Sequence, residues 1–101
     1  MKIAEIWCEF EDTDQPFDPE NGQSDAVAET EDGKRYAATF FTYSRVAQLM
    51  EQDRISGQCL GGTYFCARDC IIVRRIDRQT AEKVMYNLTA RGEIALFCRK
   101  V

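Results

Sequence analysis

Five cysteines and a run of carboxylates are the side chains here with the widest chemical repertoire. Cys66 and Cys70 stand four residues apart, with Cys59 and Cys98 available to complete an all-thiolate zinc site. Four residues of extended chain separate two Cα atoms by roughly 13 Å, whereas zinc-bound sulfurs lie about 2.3 Å from the metal. Arg68-Asp69 would have to fold the chain back sharply between them. The spacing matches no usual zinc pattern, and the chain has no histidine to assist. The cysteines therefore read as small apolar residues of a core. A redox-active thiol beside Arg68 is the alternative reading.

The carboxylates cluster early. Asp12, Asp14, Asp18 and Glu20 are hard oxygen ligands of the kind calcium takes, but an EF-hand loop needs glycine at its sixth position and glutamate at its twelfth. Counting from Asp12 those places hold Phe17 and Gln23, and counting from Asp14 they hold Pro19 and Asp25. The motif fails in both registers, so no metal and no cofactor is expected.

Charge is divided unevenly along the chain. Residues 1–33 hold eleven carboxylates and one base, Lys2, a net of −10, while residues 34–101 hold twelve Lys and Arg against six carboxylates, a net of +6, so the whole is −4. A block of one sign repels itself and is stabilised by an opposite partner, either another molecule or the chain's own basic half. The expected partner surface is Glu9, Glu11, Asp12, Asp14, Asp18 and Glu20, facing a protein with a basic surface. Phe17, between two prolines in a polar loop, is expected to be exposed and to add an aromatic anchor. Trp7 and Phe10 are expected in the core.

Arg68, Arg74, Arg75 and Arg78, near Tyr64 and Phe65, raise the alternative of a nucleic-acid surface. On a strand Arg74 and Arg75 point to opposite faces, which dilutes the patch. No RNA-recognition signature or helix-turn-helix spacing accompanies them, and nucleic acid is the less favoured partner. A homo-oligomer joined through an exposed sheet edge is a third reading. Catalysis has little support: without histidine the commonest general base and the usual triads are missing. Gly61-Gly62 lacks the lysine of a phosphate loop. No enzyme activity is expected.

The elements that would position these residues belong to one small α+β domain, residues 1–101, with 45% apolar content. Residues 2–11 read as a strand and residues 12–24, rich in Asp, Pro, Asn and Gly, as a loop. Asp32-Gly33 between the apolar runs 26–31 and 34–43 signals a hairpin. Tyr43, Val46, Ala47 and Met50 fall on one face of a helix capped by Thr42 or Ser44 and ending before Gly57. Thr63–Ala67 and Cys70–Ile76 read as strands. A second helix runs from an Asp77 cap through Ala81, Val84, Met85 and Leu88 to Gly92, and Glu93–Arg99 reads as a closing strand. The order β-β-β-α-β(β)-α-β predicts a mostly antiparallel sheet of five or six strands with two helices on one face. No apolar run spans a bilayer and no signal-peptide pattern opens the chain. A cytoplasmic location with reduced thiols is therefore expected.

The segments EDGKRYAATFFTYSRVAQLM (Glu31–Met50), SGQCLGGTYFCARDCIIV (Ser56–Val73) and IDRQTAEKV (Ile76–Val84) resemble a family of small uncharacterised bacterial proteins, over about two thirds of the chain. TFFTY (Thr39–Tyr43) and GTYF (Gly62–Phe65) are the most specific parts. In that family large apolar residues often stand where this chain has Cys66 and Cys70, so the resemblance implies no thiolate site, and it carries over no catalytic residues. The family's small size and bacterial distribution are similar to those of immunity proteins that neutralise neighbouring toxins. An acidic inhibitor of a basic toxin is the function this implies, through charge complementarity.

Overall fold

Strand β3 (Arg35–Thr42) is the centre of the molecule, because the run RYAATFFT is packed on both faces. The computed structural model describes residues 2–101. β3 pairs antiparallel with β2 (Gln23–Thr30), and β2 pairs antiparallel with the edge strand β1 (Ile3–Cys8). On the other side of β3, β4 (Cys70–Val73) pairs in parallel along Thr39–Thr42, and the two-residue β5 (Arg99–Lys100) pairs antiparallel at Tyr36 and Ala37. The expected α+β class with a mostly antiparallel sheet is the one observed.

The β2–β3 turn forms at Asp32-Gly33. Gly33, at φ +86°, donates to the Thr30 carbonyl at 2.9 Å, and Thr30 N–H donates back to Lys34 at 2.8 Å. A register shift between Ile3 and Glu5 marks a bulge in β1. The bulge turns Ile3, Ile6 and Cys8 together toward the core, and Glu5 and Trp7 to the opposite face. Ala26, Ala28, Tyr36, Ala38, Phe40 and Val73 continue that core across the sheet.

Helix α3 (Arg78–Ala90) closes the core with Ala81 and Met85, joined by Ile94 and Cys98. Asp77 caps it, accepting from Thr80 N–H at 2.7 Å. At its other end Gly92 N–H donates to Thr89 at 3.0 Å and Glu93 N–H to Leu88 at 2.8 Å, a Schellman closure with Gly92 at φ +70°.

Helix α1 (Tyr43–Ser56) starts on the Thr42 cap and stops at Gly57, as its local signals predict. It buries no residue, however, and the expected apolar face leaves Tyr43 and Ala47 exposed. The chain then enters α2 (Gln58–Gly62), wound left-handed at Cys59, Leu60 and Gly61. Gly62 lies so close to the Met50 carbonyl of α1 that no side chain fits there.

Three elements differ from the sequence reading. Residues Glu9–Glu11 leave the strand as a 3-10 turn, and the acidic loop ends at 22, where β2 begins. Thr63–Ala67 is not a strand: β4 and β5 already occupy that edge of β3, and Phe65 instead packs edge-to-face on Phe41 at 5.2 Å. The closing strand is a short helical turn, α4 (Ile94–Phe97), followed by β5. Ile94 and Cys98, four apart, are both buried while Leu96 is exposed, so burial there follows a helical period. No helix of the described residues is long and apolar enough to cross a membrane.

Candidate functional site

The acidic loop is tied to the rest of the chain at its two ends. Glu20 pairs with Arg75 at 3.0 Å and Glu11 with Arg78 at 2.8 Å, so two of the expected partner contacts are held by the chain's own basic half. Glu9 accepts from Asp25 N–H at 3.2 Å, which fixes the 3-10 turn against β2. Asp18 accepts from Glu20 N–H at 2.9 Å in a local turn. Asp12 accepts from the Trp7 indole N–H. Asp14 is exposed and makes no hydrogen bond or ion pair among the described residues. The loop's exit is anchored by Thr42, whose hydroxyl accepts from Gly22 N–H at 3.1 Å and from Arg45 N–H at 3.2 Å.

Two aromatic residues sit opposite to expectation. Phe17 is half-buried, stacked on Phe10 at 5.2 Å and packed against the core, because the loop folds back over its own prolines and brings the ring under Gly22. Trp7 is 38% exposed, because the β1 bulge places it on the face of the sheet away from α3.

That open face has an ordered layout. Across the three antiparallel strands Glu5 lies opposite Glu29 and Glu29 opposite Arg35; in the next row Trp7 lies opposite Val27 and Val27 opposite Ala37. Beyond them Thr39 donates to the Asp25 carboxylate at 2.6 Å. Glu5, Trp7, Val27, Glu29 and Arg35 line a shallow hollow. Glu5, Glu29 and Arg35 make no ion pair among the described residues. Like charges directly opposite on neighbouring strands are destabilising; Arg35, opposite Glu29 on the other side, offsets one of the two carboxylates and leaves a net negative charge on the row. An indole face beside it is suited to a cationic side chain, which the ring attracts through its quadrupole and the carboxylates through their charge. Sequence reasoning missed this face by placing Trp7 in the core; the alternation of Glu5 and Trp7 with Ile6 and Cys8 is the signal that could have pointed to it.

The thiols are poor nucleophiles where they are shielded. Burial pushes the Cys98 thiol up to about 11, with the Asp69 carboxylate adding to the effect. Burial also raises Cys8, against the opposing pull of Arg78. Cys59 and Cys70 are raised by desolvation as well, Cys59 further by Asp53. All five cysteines are free, and no group of three or more Cys, Asp or Glu among the described residues is placed to hold a metal. The arginines disperse: Arg75 and Arg78 are engaged with carboxylates, and Arg68, its side chain 87% exposed, pairs with its neighbour Asp69 at 3.6 Å.

No family model, no curated protein and no solved structure matches this chain.

Proposed function

We propose that this chain is a non-enzymatic protein-binding domain whose open sheet face receives a lysine or arginine side chain of a basic protein. The observation that carries the reading is Trp7, exposed on that face beside the carboxylates Glu5 and Glu29, which outnumber the one base Arg35, and joined to Asp12. In this reading Trp7 is the aromatic anchor, Glu5, Glu29 and Asp12 are the charge complement, and Asp14 lies on the rim. Glu9, Glu11, Asp18, Glu20 and Phe17 serve chiefly to hold the acidic loop in place. An immunity-type inhibitor of a basic toxin is the biological role that suits such a surface, since charge complementarity speeds encounter and selects partners.

The test is capture from the native host's lysate at low and high salt, comparing wild type with Trp7→Ala and with Glu5→Gln/Glu29→Gln. A basic protein retained by wild type at low salt and lost by both variants supports the reading. Equal capture by all three, or none by wild type, contradicts it.

A further inference from the structure

A second, separate surface lies on the arm built from α1 and α2. We propose that a second copy of this chain docks there, making an isologous dimer. The arm leaves the end of β3 and buries none of its residues, whereas every other helix longer than one turn contributes to the core. It exposes Tyr43, Ile55, Leu60 and Tyr64, with Ile55 at 75% and Leu60 at 78%. Leu60 and Cys59 stand at φ +53° and +51°, a left-handed conformation that residues other than glycine avoid. The chain thus holds a leucine outward in an unfavourable backbone state, as is common where a strained segment serves recognition.

The dimensions fit an uncovered interface. The chain exposes 6488 Å², against about 5,840 Å² for a monomer of its 11.6 kDa mass. The surplus of roughly 650 Å² approaches the ~800 Å² that each partner contributes to a standard interface. The Cα radius of gyration is 14.5 Å, against about 13 Å for a compact domain of this length.

Charge favours a second copy on the arm rather than on the sheet face. Residues 43–67 carry Arg45 and Arg54 against Glu51 and Asp53, a net of zero in a chain of net −4. Arg54 and Glu51 satisfy each other at 2.6 Å. Two arms therefore meet without net repulsion, while the acidic sheet face repels its own copy and stays free for another partner. A symmetric contact also returns each apolar side chain to an equivalent surface.

The experiment is light scattering and sedimentation of the full chain at rising concentration into the high micromolar range. Wild type and Trp7→Ala are expected to reach twice the monomer mass. Ile55→Asp and Leu60→Asp are expected to weaken association at least tenfold. Leu60→Gly keeps the left-handed backbone at lower strain while deleting the apolar side chain, so it should be folded by circular dichroism, at least as heat-stable as the wild-type monomer, and monomeric. A wild type that stays monomeric throughout, or a Leu60→Gly variant that dimerises like wild type, overturns the proposal.

Discussion

Arg78 carries more of the long-range polar contacts than any other side chain. Its guanidinium meets Glu11 at 2.8 Å and Glu82 at 3.0 Å, and donates to the Ile6 carbonyl at 2.8 Å on the outer edge of β1. These contacts raise its already high pKa, the hydrogen bond it donates to Glu11 most of all. Arg78→Ala is expected to destabilise the fold by about 1–2 kcal/mol, read by urea denaturation, because hydrogen bonds to charged groups are lost from a partly solvated site. Arg78→Lys should recover only part of this, since one ammonium cannot present the planar fork. The cysteines give a second test at this scale. Exposed Cys66 should react first with a thiol reagent at neutral pH, and buried Cys8 and Cys98 only on unfolding. The reading of the cysteines as core residues holds for Cys8 and Cys98 and fails for exposed Cys66 and half-buried Cys59 and Cys70, because residue type alone does not say which positions the fold covers. The exposures of Trp7 and Phe17 were not legible either, because one depends on a bulge and the other on a loop folding back.

Among the elements, α3 is the one whose sequence signals are all local, and it forms where they place it. The Asp77 carboxyl is held below the ordinary carboxylate range by the Thr80 hydrogen bond first, with Arg75 at 3.0 Å adding. A lowered folded-state pKa means that this stabilisation is present above the unfolded carboxylate range and is lost as pH falls through the folded value. Asp77→Ala should therefore cost about 1 kcal/mol at neutral pH, and the gap from wild type in thermal melts should narrow in acid. Asp77→Asn, which keeps an acceptor, should hold most of the stability without that pH dependence. In the same helix Met85 is fully buried, and Met85→Ala should cost about 2–5 kcal/mol by leaving a cavity. The hairpin and both long helices were legible for the same reason: caps, turns and periodicity act within a few residues. Thr63–Ala67 was misread because its aromatic Phe65 packs on Phe41 rather than entering a ladder, and the closing strand because burial of Ile94 and Cys98 follows a helical period, leaving Arg99–Lys100 to pair with β3.

At the scale of the molecule, the opposite charges of the two halves meet in part within one chain, through Glu20–Arg75 and Glu11–Arg78. On the open sheet face Trp7 stands beside Glu5 and Glu29, two strand carboxylates against the single base Arg35. The division of charge was legible in the sequence; which carboxylates stay available depended on tertiary pairing and was not. Trp7 is the only tryptophan of the chain, so its fluorescence reports directly on that face. The decisive measurement is a titration of the full chain with an arginine-rich peptide at low ionic strength, following Trp7 emission. A saturable change that salt weakens, lost in Glu5→Gln/Glu29→Gln but kept in Asp14→Asn/Asp18→Asn, is the result predicted. Emission that does not respond, or that responds equally in both double variants, would contradict a binding site on this face.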